Sequence, residues 1–116
     1  MITIADTGCL VAYLYADEAK AHLFFKEQFK RVKPPLLTCE AVLAEASYLL
    51  QSRGGPHEKL VQWLESGFLD IRFNLKNEAG PVLRLLNRYA DQGMQLADAC
   101  VVRMSELYHY SPAGER

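Results

Sequence analysis

Apolar and polar positions along this chain follow two different periods, and the switches between them mark out its elements. Ile2 to Asp6 is a short, β-branched apolar run ending in an acid and a Thr7-Gly8 pair, the pattern of a strand entering a turn. Gly8 to Ala16 is apolar without a breaker. Asp17 is then placed to cap a second helix to about Arg31, in which Ala21, Phe24, Phe25, Phe29 and Val32 recur at helical spacing. Pro34-Pro35 stops that helix, because proline removes a donor and restricts its predecessor, and Leu36 to Thr38 gives a second short strand. From Glu40 to Gln51, Val42, Leu43, Ala46, Leu49 and Leu50 line one side of a third helix.

Gly54-Gly55-Pro56 opens a fourth helix, with Pro56 suited to its first position and Gly67 just past its end. Between Phe68 and Phe73 the period becomes two: Leu69, Ile71 and Phe73 alternate with Asp70 and Arg72, which predicts a half-buried strand at the edge of a sheet. A helical region follows from Asn74 to about Tyr89, with Val82, Leu85, Leu86 and Tyr89 in register and a break or bend expected at Gly80-Pro81. The last helix is predicted from about Gln95 to Tyr108, with Leu96, Cys100, Met104 and Leu107 as its apolar stripe. Helices alternating with short strands predict an α/β domain whose parallel sheet is covered on both faces. No repeat or internal linker divides it, so residues 1–110 read as one domain and 111–116 as an unstructured tail.

Composition narrows the function classes. At 116 residues, half of them hydrophobic and 23% charged, the chain has the balance of a single folded domain. A net charge of −1 supplies no bulk field for nucleic acid or membrane, so any such contact must be local. Three scattered cysteines, Cys9, Cys39 and Cys100, argue against a disulfide framework or a zinc site, and His22, His57 and His109 have no metal spacing. No signal-peptide layout or membrane-length apolar run is present, and a soluble protein of the reducing cytoplasm is expected.

Three acids stand where chemistry is possible. Asp6 ends the first strand, and ligands of open parallel sheets bind outside the carboxyl ends of strands. Glu45 borders the apolar stripe of the third helix, where a carboxylate needs a cation or an ion pair, with Arg53 or Arg88 as the available partners. Asp98 lies in the first turn of the last helix, where the helix dipole alone favours it by about 0.3–1 kcal/mol. Each has a structural explanation, Asp6 and Thr7 as turn or cap residues included. Together they are hard oxygen ligands suited to Mg²⁺ or Mn²⁺.

The segments holding these acids resemble the motifs of the PIN-domain family of metal-dependent ribonucleases. The opening I-T-I-A-D-T-G-C-L-V-A-Y-L is similar to the first motif; Thr38 to Leu50, T-C-E-A-V-L-A-E-A-S-Y-L-L, resembles the second; and Tyr89 to Cys100, Y-A-D-Q-G-M-Q-L-A-D-A-C, resembles the third and most specific. The resemblance implies a three-layer α/β/α fold in which Asp6, Glu45 and Asp98 hold one or two Mg²⁺ or Mn²⁺ ions that activate water against RNA, with Thr7 steadying Asp6 or the water. Similar proteins are toxins of bacterial toxin–antitoxin pairs, which implies a homodimer and a cognate antitoxin as partners. The sequence departs from the family after the last helix, where a further strand with a T-x-D motif is expected and its aspartate would complete an acidic quartet. A chain cut short there would leave one edge of the first strand unpaired, to be covered by a dimer partner, an exchanged segment or a peptide.

Two other readings fit part of the pattern. A catalytically impaired remnant of the same fold would bind an antitoxin or RNA without cleavage. A phospho-acceptor domain also places an Asp at a strand end, but this sequence lacks the adjacent acidic pair and strand-end lysine that such a site uses. For RNA contact the available cations are Lys26, Lys30, Arg31 and Lys33, and later Arg84, Arg88 and Arg103. A solvated helix face explains the first group equally well. Phe24, Phe25 and Phe29 follow the helical period and read as core rather than as a base-stacking platform.

Overall fold

Leu36, Leu37 and Thr38 make the central strand because they are the one extended stretch buried on both faces: each is at most 1% exposed. In the computed structural model, which describes residues 2–15 and 19–109, this strand (β2, Leu36–Thr38) lies between β1 (Thr3–Ile4) and β3 (Leu69–Ile71). Both neighbours pair with it in parallel, Ile4 opposite Leu37 and Leu37 opposite Asp70. Parallel neighbours require crossovers, and helices supply them. After β1 come α1 (Thr7–Leu14) and α2 (Ala19–Arg31); after β2 come α3 (Glu40–Ser52) and α4 (Glu58–Ser66); after β3 come α5 (Ala79–Arg88) and α6 (Leu96–His109). A single 3₁₀ turn, Ala90–Gln92, joins the last two. The fold is therefore mixed α/β with a small all-parallel sheet in the order β1-β2-β3, and β3 is an edge as its alternating sequence predicts.

Backbone hydrogen bonds carry the sheet past its formal ends. The Ala5 N–H donates to the Leu37 carbonyl at 2.8 Å, and the Leu36 N–H to the Phe68 carbonyl at 2.8 Å. Thr38, the buried polar residue of the core, donates its hydroxyl to the Ala5 carbonyl at 3.1 Å, tying the end of β1 to the end of β2. Around this sheet pack Leu10 and Val11 of α1, Val42, Ala46 and Leu50 of α3, Leu60 of α4, Val82 and Leu85 of α5, and Cys100 and Met104 of α6. An aromatic cluster holds α1, α2 and α4 together. Tyr13 stacks on Phe29 at 4.3 Å between ring centroids, and Trp63 meets Phe68 edge-on at 5.0 Å.

Several boundaries differ from the sequence expectation, each for a local reason. Gly80-Pro81 does not break a longer helix: the chain turns at residues 75–78, and the pair sits in the first turn of α5, where proline's missing N–H has no intrahelical role. Pro56 is not the first residue of α4 but precedes its cap His57, while Gly67 closes the helix in the left-handed region at φ 88°, as its position predicts. Leu96 is 44% exposed and not part of the α6 stripe, whose place is taken by the buried Ala97 and Ala99. Of the apolar positions predicted on α2, Phe29 is buried and Val32 packs against the core; the side chains of Ala21, Phe24 and Phe25 lie outside the described residues. So do Asp17 and the 111–116 tail. Among the described residues no helix is long and apolar enough to cross a membrane.

One polar tie spans the last two helices. The Arg103 Nε of α6 donates to Glu78, the residue before α5, at 2.7 Å, and its Nη1 donates to Glu106 at 3.2 Å. The Arg103 and Glu78 side chains are 24% and 22% exposed, so removing one charge strands the other in a partly dry place. Glu78→Gln is expected to lower stability by about 1.5–3 kcal/mol, the range for a charge-assisted hydrogen bond. Glu106→Gln, altering the more exposed contact, is expected to cost less, and urea unfolding of the two variants measures both.

Candidate active site

Asp6 stands two residues after the end of β1 and caps α1: its backbone is extended, and its Oδ1 accepts the Cys9 N–H at 2.8 Å. That bond uses one carboxylate oxygen and leaves the exposed remainder of the group at the carboxyl end of the sheet. Thr7, next in the chain, begins α1. Its hydroxyl is buried and has no hydrogen-bond partner, an orphaned polar atom one residue from Asp6. Folded chains rarely leave such a group unpaired, because each costs about 1–3 kcal/mol of desolvation.

Glu45 lies in the second turn of α3, half-buried between exposed positions and the Val42–Ala46 stripe. The ion pair that would explain it structurally is absent: among the described residues Glu45 has neither a salt bridge nor a hydrogen bond. Of its two expected partners, Arg53 instead lies over the Tyr15 ring at 5.7 Å, and Arg88 is exposed. Asp98 occupies the first turn of α6, exposed, and its Oδ2 accepts the Gln95 N–H at 3.2 Å. Like Asp6, it satisfies a helix N-terminus with one oxygen.

The elements carrying the three acids pack against one another. α3 packs against both α1 and α6, and α6 packs against β1. Cys39, the residue before α3, and Cys100, two residues after Asp98, each perturb the other's proton affinity and both feel the Glu40 carboxylate, which brings the starts of α3 and α6 together beyond the end of β2. Glu40 is a fourth acid at this edge that the sequence reading passed over; its signal was only that of an acid in a first helical turn, which the dipole explains. Even so, among the described residues no group of three or more His, Cys, Asp or Glu side chains is gathered closely enough to hold a metal ion. The donors fit a hard divalent cation in kind, and the orphaned Thr7 hydroxyl lies one residue from Asp6.

Burial governs the thiols around the site. Cys9, beside Asp6, is pushed up to about 12, first by burial and then by the Asp6 charge; Cys100 is pushed up to about 11, mainly by burial, and burial also raises Cys39. None is an activated nucleophile, which agrees with the absence of any thiol motif in the sequence. The three are free thiols. A shallow depression of about 120 Å³ lined by Ile2, Lys33, Pro34, Pro35, Leu37 and Arg72 lies toward the opposite end of β1 and β2 and contains none of the three acids. No protein-family model matches the chain, and no curated protein is significantly similar to it.

The raised thiols set an alkaline limit. An unfolded thiol ionises near 9.0, so the native chain holds its thiol protons to higher pH than the unfolded one. That contribution to stability is complete below pH 9.0 and is lost as pH rises from there through 11 to 12. Denaturation midpoints taken from pH 8 upwards are expected to fall across that window, and Cys9→Ser with Cys100→Ser is expected to flatten the fall.

Proposed function

We propose that this protein is a PIN-like, metal-dependent endoribonuclease, the toxin of a toxin–antitoxin pair, in which Asp6, Glu45 and Asp98 hold Mg²⁺ or Mn²⁺. The observation that carries the reading is two unsatisfied oxygen groups on packed helices: the partnerless Thr7 hydroxyl beside Asp6, and the half-buried Glu45 without an ion pair. Both are hard oxygen donors, and a divalent cation held by Asp6, Glu45 and Asp98 would account for both.

Each residue has a separable task. Asp6 keeps one oxygen on the Cys9 N–H, which fixes its direction, and turns the other to the site. Asp98 is held in the same way by Gln95, so two ligands come from rigid helix starts rather than from loops. Glu45 projects from the side of α3 and closes the set. The Thr7 hydroxyl orients Asp6 or a water molecule. A divalent ion bound there supplies polarisation of a phosphoryl oxygen and a lowered pKa for bound water. A homodimer and a small antitoxin protein are the partners this reading carries with it.

Incubating the purified chain with a pool of structured and single-stranded RNA, with and without Mg²⁺ or Mn²⁺, tests the proposal. Metal-dependent cleavage is expected, reduced at least about a hundredfold by Asp6→Asn, Glu45→Gln or Asp98→Asn, since even outer-shell changes at metal sites cost 10–100-fold. Binding is read separately from turnover: at a hundredfold excess over its dissociation constant the ion is expected to stabilise the fold by about 2.7 kcal/mol, and Asp6→Asn to abolish that gain. A parent chain that is inert, and whose melting temperature ignores both ions, would sink the nuclease reading.

A further inference from the structure

The described arginines differ in their partners. Arg53 lies over Tyr15, Arg72 pairs with Asp70 at 2.9 Å, and Arg103 is held by Glu78 and Glu106. Arg31 at the end of α2, Arg84 and Arg88 are exposed, and none of the three has an ion pair or hydrogen bond among the described residues. Of these, Arg84 and Arg88 share a helix. They stand four residues apart on α5, about 6 Å along its axis and on one side of the helix. α5 buries Val82 and Leu85, so its outward face is Leu83, Arg84, Asn87 and Arg88.

This helix, AGPVLRLLNR, contains no carboxylate at all, in a chain whose net charge is −1. The helix dipole accounts for Arg88 in the last turn but not for Arg84 in the middle. The chain then runs through the Ala90–Gln92 turn directly into the first turn of α6, where Asp98 sits. Two unpaired guanidinium groups one turn apart, flanking an amide and leading to a candidate phosphodiester site, make a surface for successive phosphates rather than a solvated salt-bridge face.

We infer that the outward face of α5, through Arg84, Asn87 and Arg88, is the phosphate-binding surface that receives single-stranded RNA on its way to Asp98. The identity of the ligand rests on the ribonuclease reading; the surface itself rests on the unpaired arginines. Its contribution is electrostatic and independent of base sequence, since guanidinium contacts to phosphate carry no base information. Arg103, which the sequence offers on equal terms, is set aside because its charge is already balanced by Glu78 and Glu106.

Fluorescence anisotropy with a labelled mixed-sequence oligoribonucleotide in EDTA separates this inference from cleavage. Each phosphate contact on a single strand contributes about 0.7 to the slope of log affinity against log salt, so R84Q/R88Q is expected to reduce the slope by about 1.4 and weaken binding roughly 25-fold at 0.1 M salt. The control R53Q/K59Q removes the same charge from exposed positions at the end of α3 and on α4 and is expected to leave both nearly unchanged. Circular dichroism verifies that each variant retains its fold. Equal losses in the control, or an unchanged slope in R84Q/R88Q, would overturn the inference. So would an R84Q/R88Q defect confined to a polyglutamate competitor, which would assign the face to an acidic protein partner. Loss of RNA binding in R84Q/R88Q alongside an inert parent would leave this surface standing and the nuclease reading fallen; intact binding with metal-dependent cleavage would do the reverse.

Discussion

Burial of Leu36–Thr38 on both faces is the constraint from which the remaining architecture follows. A strand with neither face available to water demands a helical layer on each side and a paired neighbour at each edge. Here β1 and β3 supply the edges, and their parallel direction forces a helical crossover between successive strands. The Thr38 hydroxyl, satisfied by the Ala5 carbonyl, then fixes the end of β1 against the end of β2. Asp6 is the next residue, so a core hydrogen bond sets where the first candidate ligand leaves the sheet.

That arrangement separates two duties at the same edge. Inside it, apolar packing by Cys39, Cys100 and their neighbours keeps water away and thiols protonated. Outside it, Asp6 and Asp98 each satisfy a helix N-terminus with one oxygen, while the Glu45 side chain on α3 has no hydrogen-bond or ion-pair partner among the described residues. A carboxylate that caps a helix is anchored by the N–H it accepts, and it keeps a lone-pair-rich oxygen for something else. Structural and functional explanations of Asp6 and Asp98 are therefore compatible rather than rival.

Much of this was legible in the sequence, and what was not has physical causes. β2 and α3 are readable because their signals are redundant: a proline stop, a β-type run and an unbroken helical stripe agree. The start of α5 is misread because Gly80-Pro81 carries the same letters whether it interrupts a helix or begins one; only the turn before it decides. Leu96 is misassigned because helical period specifies a face but not where, near a helix end, that face leaves the core. The three acids are visible singly as strand-end, stripe-edge and first-turn carboxylates. The packing of α3 against α1 and α6, the helices that carry or follow these acids, is long-range and no local pattern encodes it. The unpaired Thr7 hydroxyl and the contrast between free Arg84 and committed Arg103 are likewise tertiary facts.

The aromatic cluster has a practical corollary. Trp63 is the chain's one tryptophan, and it stands among Tyr13, Phe29 and Phe68. Its neighbouring rings come from α1, α2 and the approach to β3, and among the described residues none comes from α5 or α6. The molecule thus has an optical reporter wired to one subset of its helices. Intrinsic emission follows the docking of α1, α2 and α4, while loosening confined to the α5–α6 pair leaves that signal dark. A discrepancy between fluorescence and helix content during unfolding would locate which side of this small fold gives way first.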